Sequence, residues 1–506
     1  LNERPPSAPI AARRKPHRRR AAWLCSLAPL LVGGCMVGPD YHRPDFATPA
    51  HFKELPGWKL ATPRDAAPKG AWWTVFNDPV LDRLESQVDA GNQTLAEQEA
   101  AYRAAKAVVN EARASLYPSL GLSPSVTRTS SGAGSSVVSG STVSSGSTRT
   151  TYQVEGTADW QLDLWGLIRR QVQSDVRLAQ ASAAEVANAR LSAEGLLATD
   201  YLELRVQDQL TKVLNDTVDF DRRALKITQN QYDAGVAARS DVITAQTQLD
   251  GAIASAINAG VERAIYEHAV AVQIGQAPAA LSITQNTDQP QPVIPDIPGV
   301  LPATLLERRP DIANAERSMA SDNALIGAAV AAFYPTVSLS ALFGYSGNPL
   351  GNLISAANRV WSLGASASET LFEGGERTAA VAAARATYDE GVATYRQTVL
   401  TALQGVEDEL ATLRILADQA KVDDAAVQDA TRAVQISLNE YEAGTQPYTT
   451  VVTAETTLLG DEETLLAVRQ SRLTASVALI EDLGGGWSTA QLPGKDSLQT
   501  FNPLLP

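Results

Sequence analysis

Four kinds of side chain in this 506-residue chain could do chemistry: thiols, imidazoles, clustered carboxylates and paired arginines. Beyond residue 34, His42, His51 and His268 stand far apart, and none has the cysteine or second histidine at short spacing that a zinc site requires. No glycine-rich loop carries a lysine to cradle phosphate. The acidic run "VEDEL", Val406 to Leu410, falls inside a helical pattern and reads as a solvated helix face that contributes a field rather than a reaction. "RRPD", Arg308 to Asp311, reads as a helix start with Pro310 in the first turn. No constellation supports catalysis, and no metal or cofactor is expected. One group is left with a reaction to do, the thiol of Cys35.

The basic run "RRKPHRRR" (Arg13 to Arg20), the apolar "AAWLCSLAPLLV" and then "GGC" read as the n-region, h-region and cleavage site of a signal peptide, residues 1–34. Val32-Gly33-Gly34-Cys35 is similar to a bacterial lipobox, in which cleavage frees Cys35 to take covalent lipid. Met36, rather than aspartate, implies sorting to the outer membrane. Losing residues 1–34, with seven Lys/Arg and one acid, takes the formal charge from -14 to -20, which disfavours nucleic acid as a partner. A single cysteine then remains, so no disulfide framework is possible. No run of 18 apolar residues exists to form a membrane helix.

The elements that must carry these residues are written twice. "QYDAGVAARSDVITAQTQL" from Gln231 recurs as "EYEAGTQPYTTVVTAETTL" from Glu440, and "LYPSL" from Leu116 as "FYPTV" from Phe333, which marks an internal duplication. After an N-terminal segment (35–93), the first repeat covers 94–275 and the second 303–484. A proline-rich linker (276–302) joins them, and a tail (485–506) follows. Each repeat opens with a helix that ends before a Tyr-Pro pair, because proline stops helices and biases its predecessor toward extended structure. Two alternating strands follow, at about 119–129 and 151–164 in the first copy and about 336–346 and 359–372 in the second. "SSGAGSSVVSGSTVSSGST" between the first two reads as a flexible polar loop.

Helical patterns from Arg170 to Tyr232 and from Thr378 to Tyr441 come next, each roughly 90–100 Å at 1.5 Å per residue. Val399, Val406, Leu413, Ala420, Val427, Val434 and Tyr441 recur every seventh residue, the period of a coiled coil. Leu197, Leu204, Val218, Leu225 and Tyr232 keep it more weakly. Gly235 and Gly444 suit the left-handed position that ends a helix, with Ser240 or Asp241, and Thr449 or Thr450, able to cap the next one. Two long helical hairpins are expected.

In "TYQVEGTADWQLDLW", Thr151 to Trp165, Tyr152, Val154, Ala158, Trp160 and Leu162 alternate with Gln153, Glu155, Asp159, Gln161 and Asp163. A soluble sheet with one wet face gives such a pattern, and so does a membrane strand of 9–11 residues or more. The leader, Cys35 and the aromatics near strand ends (Tyr117, Tyr152, Trp165, Trp361, Phe372) favour the membrane. Four strands cannot close a barrel, and an open edge in hydrocarbon costs several kcal/mol per unpaired group. Two chains would give eight strands and three would give twelve; an eight-stranded barrel is filled by side chains, so a wet conduit calls for three.

"CMVGPDYHRP" from Cys35, "WWTVFNDPVLDRL" from Trp72, "WQLDLWG" from Trp160, "LLERRPDIANAE" from Leu305, "LFEGGER" from Leu371 and "LGGGW" from Leu483 resemble, in order and spacing, motifs of the TolC-like outer-membrane efflux proteins, in particular the lipoprotein subgroup of tripartite multidrug efflux systems. The resemblance implies an α+β membrane protein. Its homotrimer would form a twelve-stranded β-barrel, four strands per chain, continued by a long α-helical coiled-coil barrel across the periplasm. It implies a passive exit duct for small molecules such as antibiotics, not an enzyme, anchored to the outer membrane by palmitate-type lipid on Cys35. A periplasmic adaptor (membrane fusion protein) and a proton-driven inner-membrane pump of the RND type would be its partners. Adaptor docking falls on the tips, Ala234, Gly235 and Val236 with Ala443, Gly444 and Thr445. A periplasmic gate falls on Asp241, Tyr448, Thr449 and Thr453, a set in which threonine stands where the family often has leucine and aspartate. The same architecture also serves as an exit channel for type I protein secretion, and a lipid-anchored coiled-coil structural protein is the alternative from another class.

Overall fold

The computed structural model describes residues 36–54, 70–131, 135–138, 141–144, 147–286, 291–295 and 302–498. The signal peptide, Cys35, part of the 276–302 linker and the end of the tail lie outside the described residues. The chain forms two compact units. One comprises residues 1–40, 111–173 and 323–385, and the other residues 41–110, 174–322 and 386–506.

The first unit holds a four-stranded antiparallel sheet made of β1 (Ser119–Ser131), β4 (Ser147–Leu162), β5 (Thr336–Gly347) and β6 (Arg359–Ser368), in the order β1-β4-β5-β6. Register decides what that sheet can do. Leu122, Gly156, Phe343 and Trp361 lie in one row across it, and Leu120, Ala158, Ala341 and Leu363 in the next. Since directly opposed residues share a face, the apolar sets of all four strands coincide. Glu155 and Asp159 join the serines on the other face. The apolar face is bare: Leu120 is 82% exposed, Leu363 77% and Trp361 67%.

The serine-rich run expected as a loop is corrected by the ladder. β1 and β4 stay paired down to Ser131 and Ser147, with the Thr148 hydroxyl 3.4 Å from that of Ser130. A small hairpin of β2 (Ser135–Val138) and β3 (Ser141–Ser144) follows. Small hydroxyl and β-branched residues suit an extended backbone, so low complexity here is compatible with strand pairing. β4 ends at Leu162 rather than 164, because the Asp163 carboxylate turns to accept the Ile168 and Arg169 N–H groups at 3.1 and 3.0 Å. β6 ends at Ser368 rather than 372, where Glu369 and Glu373 hold Arg377 at the next helix start.

Duplication is visible element by element. The opening helices α2 (Gln93–Ala114) and α6 (Pro310–Ala331) both have 22 residues. The long helices α3 (Leu167–Asp233) and α7 (Glu376–Glu442) both have 67, and their return helices α4 (Arg239–Gln273) and α8 (Tyr448–Asp482) both have 35. At 1.5 Å per residue, α3 and α7 are about 100 Å long. A helix absent from the sequence reading, α1 (Pro79–Gly91), is capped by Asp78, whose carboxylate accepts from the Val80 and Leu81 N–H groups. The short α5 (Pro302–Arg308) precedes α6, which opens at Pro310 as expected.

The core of the second unit is a belt in which α1, α3, α5, α6, α7 and α8 meet. Leu81, Leu84, Leu197, Tyr201, Leu305, Met319, Tyr395, Val399, Val406 and Leu473 are all buried there. The seven-residue series is thus a packing seam, with Val399, Val406, Leu413, Val434 and Tyr441 buried. The acidic run on α7 is more than a wetted face, since the Glu407 carboxylate accepts the Lys53 and Glu54 backbone N–H groups at 2.6 and 2.9 Å.

Candidate functional site

Both hairpin turns are built by the same backbone device. Gly235 has φ +77° and Gly444 φ +72°, values that L side chains rarely adopt. The N–H of Gly235 donates to Tyr232 O at 2.9 Å and that of Val236 to Gln231 O at 2.8 Å. Gly444 donates to Tyr441 O and Thr445 to Glu440 O, both at 2.9 Å. Each pair satisfies the last carbonyls of a long helix through backbone bonds alone. Ala234, Gly235, Val236, Ala443, Gly444 and Thr445 are all exposed, with Val236 72% exposed. A Cβ placed on either glycine would meet nothing within 4 Å.

The expected caps are corrected. Ala238 and Pro447 occupy the N-cap positions of α4 and α8, and neither gives a side-chain capping bond. The turns are too tight to bring Ser240, Asp241, Thr449 or Thr450 to that position, which leaves these side chains on the first helical turn.

The four gate candidates are sorted by the packing. Thr449 and Thr453 lie one turn apart on exposed positions of α8, the Thr453 hydroxyl donating to Thr449 O at 2.9 Å. Asp241 is half-buried in the first turn of α4. Tyr448 departs from expectation: it is 1% exposed, its ring 5.3 Å from that of Tyr441 in a cluster with Ala224, Ala245 and Val451. Its aromatic body fills the gap where α3, α4, α7 and α8 meet. The Tyr441 hydroxyl lies 2.9 Å from that of Thr228 and completes the seam.

Residues next to Cys35 are held firmly. The Val37 N–H donates to Trp165 O at 3.1 Å, and the buried Arg170 guanidinium donates to Val37 O, Gly38 O and Asp40 at 3.1–3.2 Å. Gly38, φ +90°, is so close to Gly327 that a Cβ would sit 2.4 Å from its Cα. Farther along, Arg43 bonds the Tyr395 hydroxyl at 2.9 Å and lies over its ring. The motif beginning at Cys35 is thus a strap whose polar contacts are specified residue by residue.

Sequence reasoning missed the buried acids of the second unit. Glu85 is 2% exposed with neither carboxylate oxygen bonded; burial first, then the charges of Glu194, Asp82 and Glu481, push its pKa up to about 10. Burial likewise pushes Glu194 and Glu481 up to about 7. Asp221 and Glu455 are buried facing each other, and both are raised by burial. A signal for the latter pair existed: Asp221 lies between Val218 and Leu225, and Glu455 one heptad after Tyr448, each on a seam that otherwise carries apolar residues. Among the described residues no group of three or more His, Cys, Asp or Glu is placed to hold a metal ion. No described helix is long and apolar enough to cross a membrane.

The family model described as "Outer membrane efflux protein" matches residues 84–276 and 301–485, in two blocks. A probable efflux pump outer membrane protein, TtgC of Pseudomonas putida, is 28% identical over 479 residues, covering 93% of this chain and 97% of the relative. Among solved structures, the outer-membrane channel OprN superimposes with a TM-score of 0.81 at 29% identity, covering 90% of this chain and all of that one. The Campylobacter jejuni CmeC outer membrane channel shares the fold at the same TM-score and 21% identity, covering 90% of this chain and 96% of that one.

Proposed function

Because this chain belongs to the outer membrane efflux protein family, we propose that it is the outer-membrane exit duct of a tripartite efflux pump, a passive conduit without catalysis. The observation that carries this reading is the sheet. Four strands align a continuous, exposed apolar face against a face of serine, threonine and acid, with both outer edges, β1 and β6, unpaired among the described residues. A monomeric soluble protein rarely leaves so large an apolar surface bare, and hydrocarbon tolerates no open edge.

Three copies sharing one barrel of twelve strands remove the edges and leave a lumen wide enough for water. Exposed apolar stripes on the helices support the same assembly. Ile415, Val422 and Ile436 recur at heptad multiples on α7, and Ile257, Val261 and Ile265 at helical spacing on α4. Each is suited to a neighbouring copy. Covalent lipid on Cys35 would tether the strap that begins at Met36 to the outer membrane. The exposed glycine tips serve as the docking points for a periplasmic adaptor, which connects to a proton-driven inner-membrane pump. Thr449, Thr453 and Asp241 line the periplasmic opening, with Tyr448 as packing behind them. Cargo is selected by the pump.

The test is electrical and chemical together. Purified full-length protein is cross-linked in detergent and reconstituted in planar bilayers, and trimers with single-channel conductance are expected. A monomer without conductance would leave only an anchored structural role. Pull-down from membranes should recover an adaptor and a pump.

A further inference from the structure

Below the tips, where α8 lies against α3, three oxygen-bearing side chains are sealed from water: Asp221 at 0% exposure, Tyr448 at 1% and Glu455 at 4%. Tyr448 and Glu455 are seven residues apart and share one face of α8. Among the described residues no donor reaches either carboxylate, and the Tyr448 hydroxyl has no hydrogen-bond partner. The two carboxyl groups face each other, so the bond open to them is one they make together. Two carboxylates side by side in a buried seam cannot both be ionised, because neither water nor a cation offsets the repulsion.

Among the described residues the groups that act on this pair are acids and tyrosines. Asp221 senses Glu455, and Tyr448 senses Asp221, Glu455 and Tyr441. Tyr441, on α7, senses Asp241 on α4. One layer along the same seam, Glu462 on α8 senses Asp216 on α3. The nearby basic residues of α3, Arg222, Arg223 and Lys226, are exposed, and Arg222 is paired with Asp219 at 2.6 Å. The duplication matches Asp221 of the first repeat to Ala430 and Glu455 of the second to Gln246, so the pair belongs to this seam alone.

We propose that Asp221 and Glu455 hold one proton between them, that this proton fastens α8 to α3 beside the tips, and that parting the two helices releases it. The step is balanced: on separation the carboxyl group that carries the proton gives it to water, and both carboxylates become hydrated. By linkage, anything that parts the helices releases about one proton per chain, and withdrawing the proton favours parting. The tie is complete below the ordinary carboxylate pKa and weakens progressively as pH rises above it, as burial of both acids requires. As a gate control it rests on the exit-duct reading; as a proton site it does not.

Infrared spectroscopy of the full-length protein in membranes tests the proton. The difference between wild type and the double variant D221N/E455Q, which cancels the protonated Glu85 common to both, should contain a protonated-carboxyl band at neutral pH that is lost on alkaline titration. A difference spectrum without that band overturns the proposal. Spin labels replacing the exposed Lys226 on α3 and Thr457 on α8 test the tie. Their separation should lengthen between about pH 6 and about pH 10, and stay constant in the double variant D221N/E455Q, whose amides bond without titrating. Equal behaviour of wild type and double variant overturns the tie. Conductance rising with pH alongside the distance supports gate control. If the distance responds while no conductance is seen at any pH, the duct reading fails and gate control with it, while the proton tie stands.

Discussion

Replacing Gly444 separates a turn that merely ends a helix from a turn that touches a partner. At φ +72° an L residue costs about 1–2 kcal/mol relative to glycine. A Cβ there meets nothing within 4 Å, so no clash adds to that cost. Both bonds that close the turn come from backbone N–H groups and survive in Gly444→Ala and Gly444→Leu. The two variants therefore share nearly the same folding cost, small beside the 5–15 kcal/mol of a typical domain. They differ in the volume presented to whatever lies against the tip. If an adaptor packs there, leucine obstructs it; a loss of about 2.8 kcal/mol weakens docking about a hundredfold. The assay is drug susceptibility and dye accumulation in cells carrying the cognate adaptor and pump, with trimer content of the outer membrane measured in parallel. Gly444→Ala should keep at least partial resistance, and Gly444→Leu should lose it at unchanged trimer level. Gly460→Leu, at an equally open site on the shaft of α8, is the control. Full resistance in Gly444→Leu would refute tip docking, and equal loss in both variants would show a defect of the turn itself.

Glu85→Gln should stabilise the protein increasingly as pH rises. The Glu85 carboxyl is protonated in the folded state up to about pH 10, so its favourable contribution is complete below the unfolded carboxylate pKa and is lost as pH climbs toward 10. Removing the titration should raise Tm little near about pH 5 and measurably near about pH 9, a gain of a few kcal/mol at most; an equal Tm difference at both would contradict the burial. Asp78→Ala should destabilise by about 3–5 kcal/mol in denaturant titration, because it removes the α1 cap and the partner of the buried Arg205 at 3.1 Å. Gly275→Ala should prevent accumulation of folded protein, since its Cβ would sit 2.0 Å from the Gly91 carbonyl oxygen, backbone against backbone. Cys35→Ser should abolish incorporation of labelled palmitate, whereas continued labelling would place the lipid elsewhere.

Much of the architecture could be read because it rests on periodic, local signals. The repeated Tyr-Pro pairs, the heptad from Val399 to Tyr441 and the two tip glycines each state a backbone requirement that does not depend on distant residues. The ends of α3 and α7 fall within a few residues of expectation for that reason. Strand ends were less legible. Asp163 continues the alternation in composition, yet it turns out of the strand because two helix N–H groups await it five and six residues on. The serine-rich loop misled because low complexity signals disorder in composition, while the ladder needs only a paired partner in register.

Sequence alone determined the duplication, the helical hairpins, the alternation of the strands and the absence of a catalytic constellation. Tertiary structure alone decided the cross-strand register that puts four apolar sets on one face, and the burial of Tyr448, a gate candidate in the sequence. It also decided the meeting of Asp221 with Glu455 across 234 residues of chain. The reason is physical. Periodicity is set by dihedral geometry within a few residues, whereas the charge state of a buried acid depends on which distant side chains exclude water from it, and only the packed molecule specifies those.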